Sequence, residues 1–212
     1  MLDYKKIILV GGGGHCKSVI DVIENTDYSI LGVLDMPDKI GSDVLGYPII
    51  GSDEDISIYF DKALFLVTLG QINNPEPRKM LHCKITEAGG KFATIISPTA
   101  YVSKHAEIGE GTVVLHKAVV NAGVLIGKGC IINTCANIDH DSVVGDYSHI
   151  STGVMVNGNC RIGKEVFIGS QSTVANNISI VDNTVVSAGV FIAKNIVSSG
   201  TYVSESKIRK IR

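Results

Sequence analysis

Three consecutive polar residues, Asp139, His140 and Asp141, form a setting for proton transfer at a predicted turn. A neighbouring carboxylate can orient an imidazole and raise its basicity, so this histidine could act as a general base near neutral pH. The alternative is a solvated surface histidine. His105 and His116 lack flanking carboxylates, and we assign both to that second class.

Four glycines at residues 11–14, followed by His15, end an apolar run and open a predicted helix. Such a loop lets the backbone approach a diphosphate, which the free N–H groups of the helix can bind. Asp35 follows about 20 residues later, the usual place for a carboxylate that binds ribose hydroxyls. Because Cys16 replaces the third glycine of the dinucleotide fingerprint, a nucleotide-containing ligand is favoured over NAD. A connecting turn, with His15 as a polar helix start, is the alternative.

From residue 100 the sequence divides into sixteen uninterrupted hexads, and the third residue of each is Ile or Val, from Val102 to Ile192. Each hexad predicts a short strand and a turn, with the branched side chain pointing inward. Three hexads make one triangular coil, which predicts a left-handed parallel β-helix and not an antiparallel sandwich. We expect Gly or Asn at the fourth position to form the turn.

The resulting 18-residue period places Gly158 one coil after His140. A glycine there leaves room for a thioester and offers a bare backbone N–H to an oxyanion. His149 is second in its hexad, so its side chain should point outward toward a neighbour or ligand. Cys135 is an alternative, as a covalent nucleophile, although a cysteine in such a repeat is typically a small corner residue.

The first half of the chain alternates strand and helix, which predicts a small doubly wound parallel sheet. We therefore predict a Rossmann-like α/β domain at residues 1–97 and a β-helix domain at residues 98–212. The predicted strands are residues 5–10, 29–34, 63–68 and 91–96, and the predicted helices are residues 15–25 and 77–88.

Composition narrows the functional classes. A net charge of −2 predicts no general attraction to nucleic acid or to an anionic membrane, and no apolar run approaches the length of a membrane span. Five cysteines without a Cys-x-x-Cys spacing favour reduced thiols in the cytoplasm and predict no zinc or other metal site. The basic residues of 207–212 are interpreted as solvated charge. The sequence of residues 36–47 does not indicate which nucleotide base is bound.

Several segments together resemble the bacterial sialic-acid O-acetyltransferase and nucleotide-amino-sugar N-acetyltransferase family over nearly the whole chain. They are residues 11–17, the strand ending at Asp35, and residues 67–70, 132–134, 138–141 and 145–151. The resemblance implies acetyl-CoA as cosubstrate, a nucleotide sugar as acceptor, and a homotrimer with each active site between two β-helices.

The resemblance also implies a role for individual positions. His140 is similar to the catalytic base, and Asp141 to the carboxylate that raises its basicity. The positions that resemble the nucleotide-sugar pocket are Gly13, Gly14, His15, Asp35 and Gly70. Those that resemble acetyl-CoA contacts are His149, Ser170 and Ala188, the last two through the backbone.

Two departures from the family pattern bear on function. Residues 200–204 replace the usual Gly-x-Pro-Ala segment, which leaves the contacts to the nucleotide end of CoA undefined. The sialic-acid branch of the family can lack a carboxylate after the catalytic histidine, whereas the amino-sugar branch keeps one, so the resemblance at Asp141 implies an amine acceptor. We predict N-acetylation of a nucleotide-linked 4-amino-dideoxy sugar by direct transfer in a ternary complex. The alternatives are O-acetylation of sialic acid or a related sugar, and a non-catalytic binding protein.

Overall fold

The computed structural model describes residues 3–204, so the basic segment at residues 207–212 lies outside the described residues. The chain begins with an α/β region. Its elements are β1 (Asp3–Val10), α1 (Gly14–Ile23), β2 (Ser29–Leu34), β3 (Asp43–Val44), β4 (Tyr47–Gly51), α2 (Ile56–Tyr59), β5 (Ala63–Val67) and α3 (Glu76–Glu87), with short 3-10 turns at Pro37–Lys39 and Asp53–Asp55.

The strands of this region form one sheet in the order β3-β4-β2-β1-β5. All neighbours pair in parallel except β3, which forms an antiparallel hairpin with β4 that the sequence did not predict. The chain leaves β1 for β2 on one side and reaches β5 on the other. The carboxyl end of β1 is therefore a topological switch point, where open α/β sheets bind their ligands.

Both faces of this sheet are covered, as the doubly wound prediction requires. In β1, Ile7 and Leu9 pack against α1, whereas Ile8 and Val10 pack toward α2 and α3. Two-sided burial explains why residues 7–10 of β1 and the whole of β5 are continuous apolar runs without alternation. Part of the α1 side is covered by outward side chains of the β-helix, including Val113 and Ile131. The two regions therefore share one apolar cluster.

The rest of the chain is a left-handed parallel β-helix with three faces. Face 1 contains β6 (Ile95–Ile96), β9 (Val113–Val114), β12 (Ile131–Ile132), β15 (His149–Ile150), β18 (Phe167–Ile168), β21 (Thr184–Val186) and β23 (Gly200–Tyr202). Face 2 contains β7 (Tyr101–Val102), β10 (Val119–Val120), β13 (Asn137–Ile138), β16 (Met155–Val156), β19 (Thr173–Val174) and β22 (Phe191–Ile192). Face 3 contains β8 (Glu107–Ile108), β11 (Leu125–Ile126), β14 (Val143–Val144), β17 (Arg161–Ile162) and β20 (Ser179–Ile180).

Strands of successive coils pair 18 residues apart, for example Ile132 with Ile150, as the repeat predicts. Two differences appear at the ends of the β-helix. The predicted strand at residues 91–96 shortens to β6, which already pairs with β9 one hexad before the predicted start. At the other end β21 pairs with β23, and Thr184 faces Gly200, only 16 residues later.

The inward Ile and Val residues form the β-helix core, but the turn differs from the sequence prediction. The left-handed backbone conformation falls on the sixth hexad position, as in Asp141 (φ 60°) and Asn177 (φ 62°), and not on the fourth. The fourth-position glycines have a different cause, which is close approach between coils. A Cβ on Gly145 would lie 2.6 Å from the carbonyl carbon of Gly163 in the next coil.

Within residues 3–204, no helix combines the length and apolar character needed to cross a membrane.

Candidate active site

The predicted base lies on the corner between faces 2 and 3 and is paired with a carboxylate. His140 Nδ1 is 2.9 Å from Asp141 Oδ2. When Nδ1–H donates to this carboxylate, Nε2 keeps its lone pair and can accept a proton. The backbone N–H of His140 donates to Asp139 Oδ1 at 2.7 Å, which itself accepts from Asn121 Nδ2 at 2.9 Å. These bonds orient the turn and the ring.

The same carboxylates set the basicity of the ring. The hydrogen bond from Asp141, and then the negative charge of Asp139, raise the pKa of His140 above its ordinary value. Both partners are solvent-accessible, with 57% of the His140 side chain and 67% of the Asp141 side chain exposed. A second surface is therefore needed to exclude water from this base.

Gly158 lies directly beside the His140 ring, as the 18-residue period predicts. A Cβ at position 158 would be 2.6 Å from His140 Nε2 and 2.7 Å from Cε1. The N–H of Gly158 donates to no protein acceptor within residues 3–204. The absence of a side chain thus leaves space for the ring and a free donor close to the basic nitrogen.

A cleft of about 650 Å³ opens at the switch point of the α/β sheet. It brings together several residues that the sequence singled out, namely Gly14, His15, Gly70 and His149. The other residues that line it are Ser18, Gln71, Ile72, Asn133, Thr134 and Thr152. We call this the switch-point cleft. Gly13 and Gly14 are exposed with open space around them, so a ligand can approach their backbone.

His149 points outward from face 1, as predicted, but it is covered by its own chain. Its side chain is buried, its Nδ1 lies 2.7 Å from the main-chain oxygen of Gln71, and its Nε2 lies 3.0 Å from Asn133 Nδ2. Burial is the largest effect on its pKa, which is lowered to about 4, so the ring is neutral near pH 7. With both nitrogens engaged, the ring offers a ligand mainly its carbon edge.

The base and the switch-point cleft are on opposite sides of the β-helix. His140 occupies the corner between faces 2 and 3, whereas His149 projects from face 1. In a triangular coil that corner lies opposite face 1, so the apolar core separates the two groups. One chain therefore does not bring His140 together with the residues of the cleft.

A buried arginine that the sequence analysis missed joins the two regions. Arg78 in α3 is 1% exposed, and its guanidinium donates to the main-chain oxygens of Leu69 and, at 2.7 Å, Gly129. Burial lowers its pKa to about 10, which still leaves it charged at neutral pH. Burial, and then the charge of Arg78, lower the pKa of His15 to about 3. A signal was present in the sequence, because Arg78 shares one helix face with the buried residues His82 and Ile85.

Asp35 does not line the switch-point cleft but a second cleft of about 750 Å³. Its carboxylate accepts hydrogen bonds from Gly12 N at 3.0 Å, Met36 N at 2.8 Å and Lys39 Nζ at 2.9 Å. Burial works to raise the pKa of Asp35, but these donors outweigh it and the pKa is lowered. Gly11 and Leu69 line this second cleft, whereas Gly14 and Gly70 line the first, so both clefts lie near the ends of β1 and β5.

The two positions predicted to contact acetyl-CoA through the backbone lie on the corner between faces 1 and 2. The N–H groups of Thr152, Ser170 and Ala188 are spaced one coil apart there, and none donates to a protein acceptor within residues 3–204. By contrast, the N–H of Thr134 in the preceding coil donates to Asn133 Oδ1 at 2.8 Å. The corner thus presents a column of free donors that begins at the switch-point cleft.

Two other places carry potentially reactive side chains. Ser97, His116 and Asp21 are linked by two 2.8 Å hydrogen bonds, but Ser97 is 1% exposed and cannot reach a substrate. Cys135 is exposed at a sixth hexad position with φ 60°. No group of three or more His, Cys, Asp or Glu side chains in residues 3–204 is arranged to hold a metal ion.

Comparison with known proteins agrees with this architecture. Residues 6–85 match the family model described as the PglD N-terminal domain. The acetyltransferase domain of PglB from Neisseria gonorrhoeae, solved with acetyl coenzyme A, has a TM-score of 0.87 and 30% identity, and the match covers 95% of this chain and 97% of that one. PerB from Caulobacter crescentus, solved with CoA and GDP-perosamine, has a TM-score of 0.87 and 28% identity over 96% of this chain and 97% of that one.

Sequence relatives extend the comparison. UDP-N-acetylbacillosamine N-acetyltransferase from Bacillus subtilis is 35% identical over 115 residues, 52% of this chain. The match spans 51% of that protein, and a match to an uncharacterised mimivirus protein spans only 24% of it. The chain belongs to the nucleotide-amino-sugar N-acetyltransferase family, which confirms the resemblance predicted from its motifs.

Proposed function

We propose that the protein is an acetyl-CoA-dependent N-acetyltransferase that acts on a nucleotide-linked 4-amino-dideoxy sugar. The main support is the match, over nearly the full chain, to acetyltransferases solved with acetyl coenzyme A and with GDP-perosamine. The lone pair of His140 beside Gly158 supplies the chemistry that such a transfer requires.

The nucleotide sugar would lie across the glycine loop at residues 11–14, with one part in each cleft. Its ribose would reach Asp35 in the second cleft, and its diphosphate would bind the N-terminus of α1 at Gly13 and Gly14. The sugar would then occupy the switch-point cleft beside His15 and Gly70. Two features support this placement: both clefts lie near the ends of β1 and β5, and this edge is the switch point of the sheet.

Acetyl-CoA would lie along the corner between faces 1 and 2. The extended pantetheine arm has amide carbonyls, and the free N–H groups of Thr152, Ser170 and Ala188 provide donors along that direction. His149 would contact acetyl-CoA through the carbon edge of its ring, because its nitrogens are already bonded.

Transfer would be direct. The sugar amine attacks the thioester carbonyl and loses its proton to His140 Nε2, while Asp141 stabilises the imidazolium. The tetrahedral oxyanion would be held by the N–H of Gly158. When this intermediate collapses, the C–S bond breaks, and the imidazolium returns the proton to the CoA thiolate. The products are the N-acetylated sugar and CoA.

This chemistry needs a second copy of the chain, because the base and the cleft are on opposite sides of one β-helix. We propose a homotrimer in which the His140 corner of one subunit faces the cleft of its neighbour. Face 2 supports such an assembly, since it exposes Tyr101, Met155 and Phe191. Exposed apolar side chains along one face favour association in water.

An acceptor panel tests the proposal. The protein is incubated with acetyl-CoA and UDP-, GDP- or dTDP-linked amino sugars, or with sialic acid, while free thiol is followed. We expect thiol release only with an amino sugar. Release only with sialic acid would identify an O-acetyltransferase, and no release with any acceptor would favour a binding protein.

Replacement of His140 tests the mechanism. His140→Ala should lower kcat by about 10²–10⁴-fold, the range that a general base contributes. The melting temperature should hardly change, because the exposed ring does not contribute to the core. Cys135→Gly is the matched control and should retain full activity. Loss of turnover in Cys135→Gly, with normal turnover in His140→Ala, would instead support a covalent nucleophile.

A further inference from the structure

Gln71 is a buried residue whose side-chain oxygen has no hydrogen-bond partner in the described part of the chain. It is 4% exposed, and its main-chain oxygen lies 2.7 Å from His149 Nδ1, which holds the residue against face 1. Its side-chain Oε1 is fully buried and makes no hydrogen bond within residues 3–204. A buried amide that loses its water without a partner costs free energy, so such a group calls for a ligand or another specific role.

A second unpaired atom is found in the same place. His15 Nε2 is also buried without a partner, and both residues line the switch-point cleft. Two residues that line one cleft and each carry a buried, unpaired polar atom are a stronger sign of a ligand than either residue alone. A bound molecule with several hydrogen-bonding groups could satisfy both atoms.

The surroundings restrict the chemistry of that molecule. No carboxylate, lysine or arginine lines the cleft, and its two imidazoles are neutral because burial and Arg78 lower the pKa of each. The lining is otherwise composed of hydroxyls, amides and backbone groups. Such a surface suits a sugar ring with hydroxyl substituents and a neutral amine better than a phosphate.

We propose that Gln71 is a specificity-determining residue whose side-chain amide hydrogen-bonds the acceptor sugar of the nucleotide sugar, together with His15. The inference rests on the function proposed above and adds a residue that the motifs did not indicate. An amide offers one acceptor and two donors, so it can pair with a hydroxyl or with the sugar amine. Gln71 would therefore recognise the sugar, whereas Asp35 and the glycine loop recognise the nucleotide.

The test compares two ligands in one variant. Gln71→Met keeps the length of the side chain and removes the amide. Dissociation constants are measured by calorimetry for the nucleotide amino sugar that the wild type binds and for the corresponding bare nucleoside diphosphate. We expect the first to rise by about tenfold or more and the second to change by less than about twofold. The KM for acetyl-CoA should not change.

Stability provides a further readout. Since Gln71→Met removes an unpaired buried polar group, the melting temperature of the ligand-free protein should stay the same or rise. Asn73→Leu, which removes an exposed amide two residues away and outside the cleft, is the matched control and should change neither ligand's affinity.

The outcomes separate the two proposals. If Gln71→Met binds the nucleotide amino sugar as tightly as the wild type, the inference is wrong and the proposed function stands. An equal loss of affinity for both ligands, with a lower melting temperature, would show that Gln71 has only a structural role. If the wild type binds no nucleotide amino sugar at all, the proposed function and the inference both fail.

Discussion

The residue that orients the proposed base lies at a turn with a left-handed backbone conformation. Asp141 has φ 60°, a left-handed conformation in which Asp and Asn are the least strained residues after glycine. From this position its carboxylate reaches His140 Nδ1 at 2.9 Å, and its main-chain oxygen accepts a hydrogen bond from Arg161 at 2.7 Å. One residue therefore both adopts the left-handed turn and makes the largest contribution to the raised pKa of His140.

Asp141→Asn should shift the pH dependence of catalysis without changing the backbone. The base must be unprotonated, so kcat/KM falls as the pH drops through the pKa of His140. Asp141 raises that pKa, hence its removal should move the acidic limb to lower pH and also lower the plateau, because the base becomes weaker. The measurement is kcat/KM against pH for both proteins. The substrate amine titrates equally in both, so an unshifted acidic limb would show that Asp141 does not tune the base.

Gly158→Ala should impair catalysis chiefly by displacing the His140 ring. The new methyl would lie 2.6 Å from His140 Nε2, and the exposed ring can move away without disturbing the core. The backbone N–H is retained, so an oxyanion donor is not lost. We expect kcat to fall by about tenfold or more with an unchanged melting temperature.

A double-mutant cycle checks this explanation. In a His140→Ala background the Gly158→Ala substitution should have little further effect, because the group that it displaces is gone. A full additional loss in that background would mean that Gly158 acts independently of His140.

At the scale of elements, the spacing of the coils depends on the fourth-position glycines. Gly145→Ala would place a methyl 2.6 Å from the carbonyl carbon of Gly163, a backbone atom that cannot turn aside. Such overpacking costs roughly 1–3 kcal/mol. The melting temperature should fall clearly. Gly13→Ala, at a glycine with open space around it, is the control and should leave it nearly unchanged. Equal melting temperatures for the two variants would contradict the close-approach explanation.

The β-helix could be predicted from the sequence because one side chain per hexad enters a common core. The core therefore requires Ile or Val at every sixth residue, which is visible as a fixed period. The turn was assigned to the wrong position because glycine at the fourth position serves close approach. The left-handed sixth position accepts residues as different as Lys117 and Tyr147, so composition gives little indication of it. Periodicity identifies the inward side chains, whereas the backbone conformation of the corners leaves a weaker signal.

The candidate site was predictable only where its residues are local in sequence. Asp141 and the glycine loop act on their immediate neighbours, and the 18-residue period brings Gly158 to His140. The contact of His149 with Gln71 joins residues 78 positions apart and depends on how the α/β region docks on face 1. No periodicity encodes that docking. Gln71 therefore had no sequence signal, although Arg78 did have one in the spacing of α3.

At the scale of the whole molecule, the separation of the base from the cleft has a consequence for mixed assemblies. In a homotrimer with shared sites, each site takes its base from one subunit and its cleft from another. Two variants that are each inactive for a different reason can then form an active site at the interface between one subunit of each. His140→Ala removes the base but keeps the cleft. Gly14→Trp, at a glycine with open space around it, should fill the switch-point cleft but keeps the base.

Subunits of these two variants are unfolded together in equal amounts and reassembled. A site then works only when its base comes from a Gly14→Trp subunit and its cleft from a His140→Ala subunit. Random assembly should therefore recover about a quarter of the wild-type activity. Each variant treated alone should remain inactive, which controls for reassembly itself. Activity should depend on subunit exchange, so the same two proteins mixed after assembly should regain it slowly or not at all. If the mixed assembly is as inactive as its parents although the subunits have exchanged, base and cleft belong to the same chain, and the proposed arrangement of subunits is wrong.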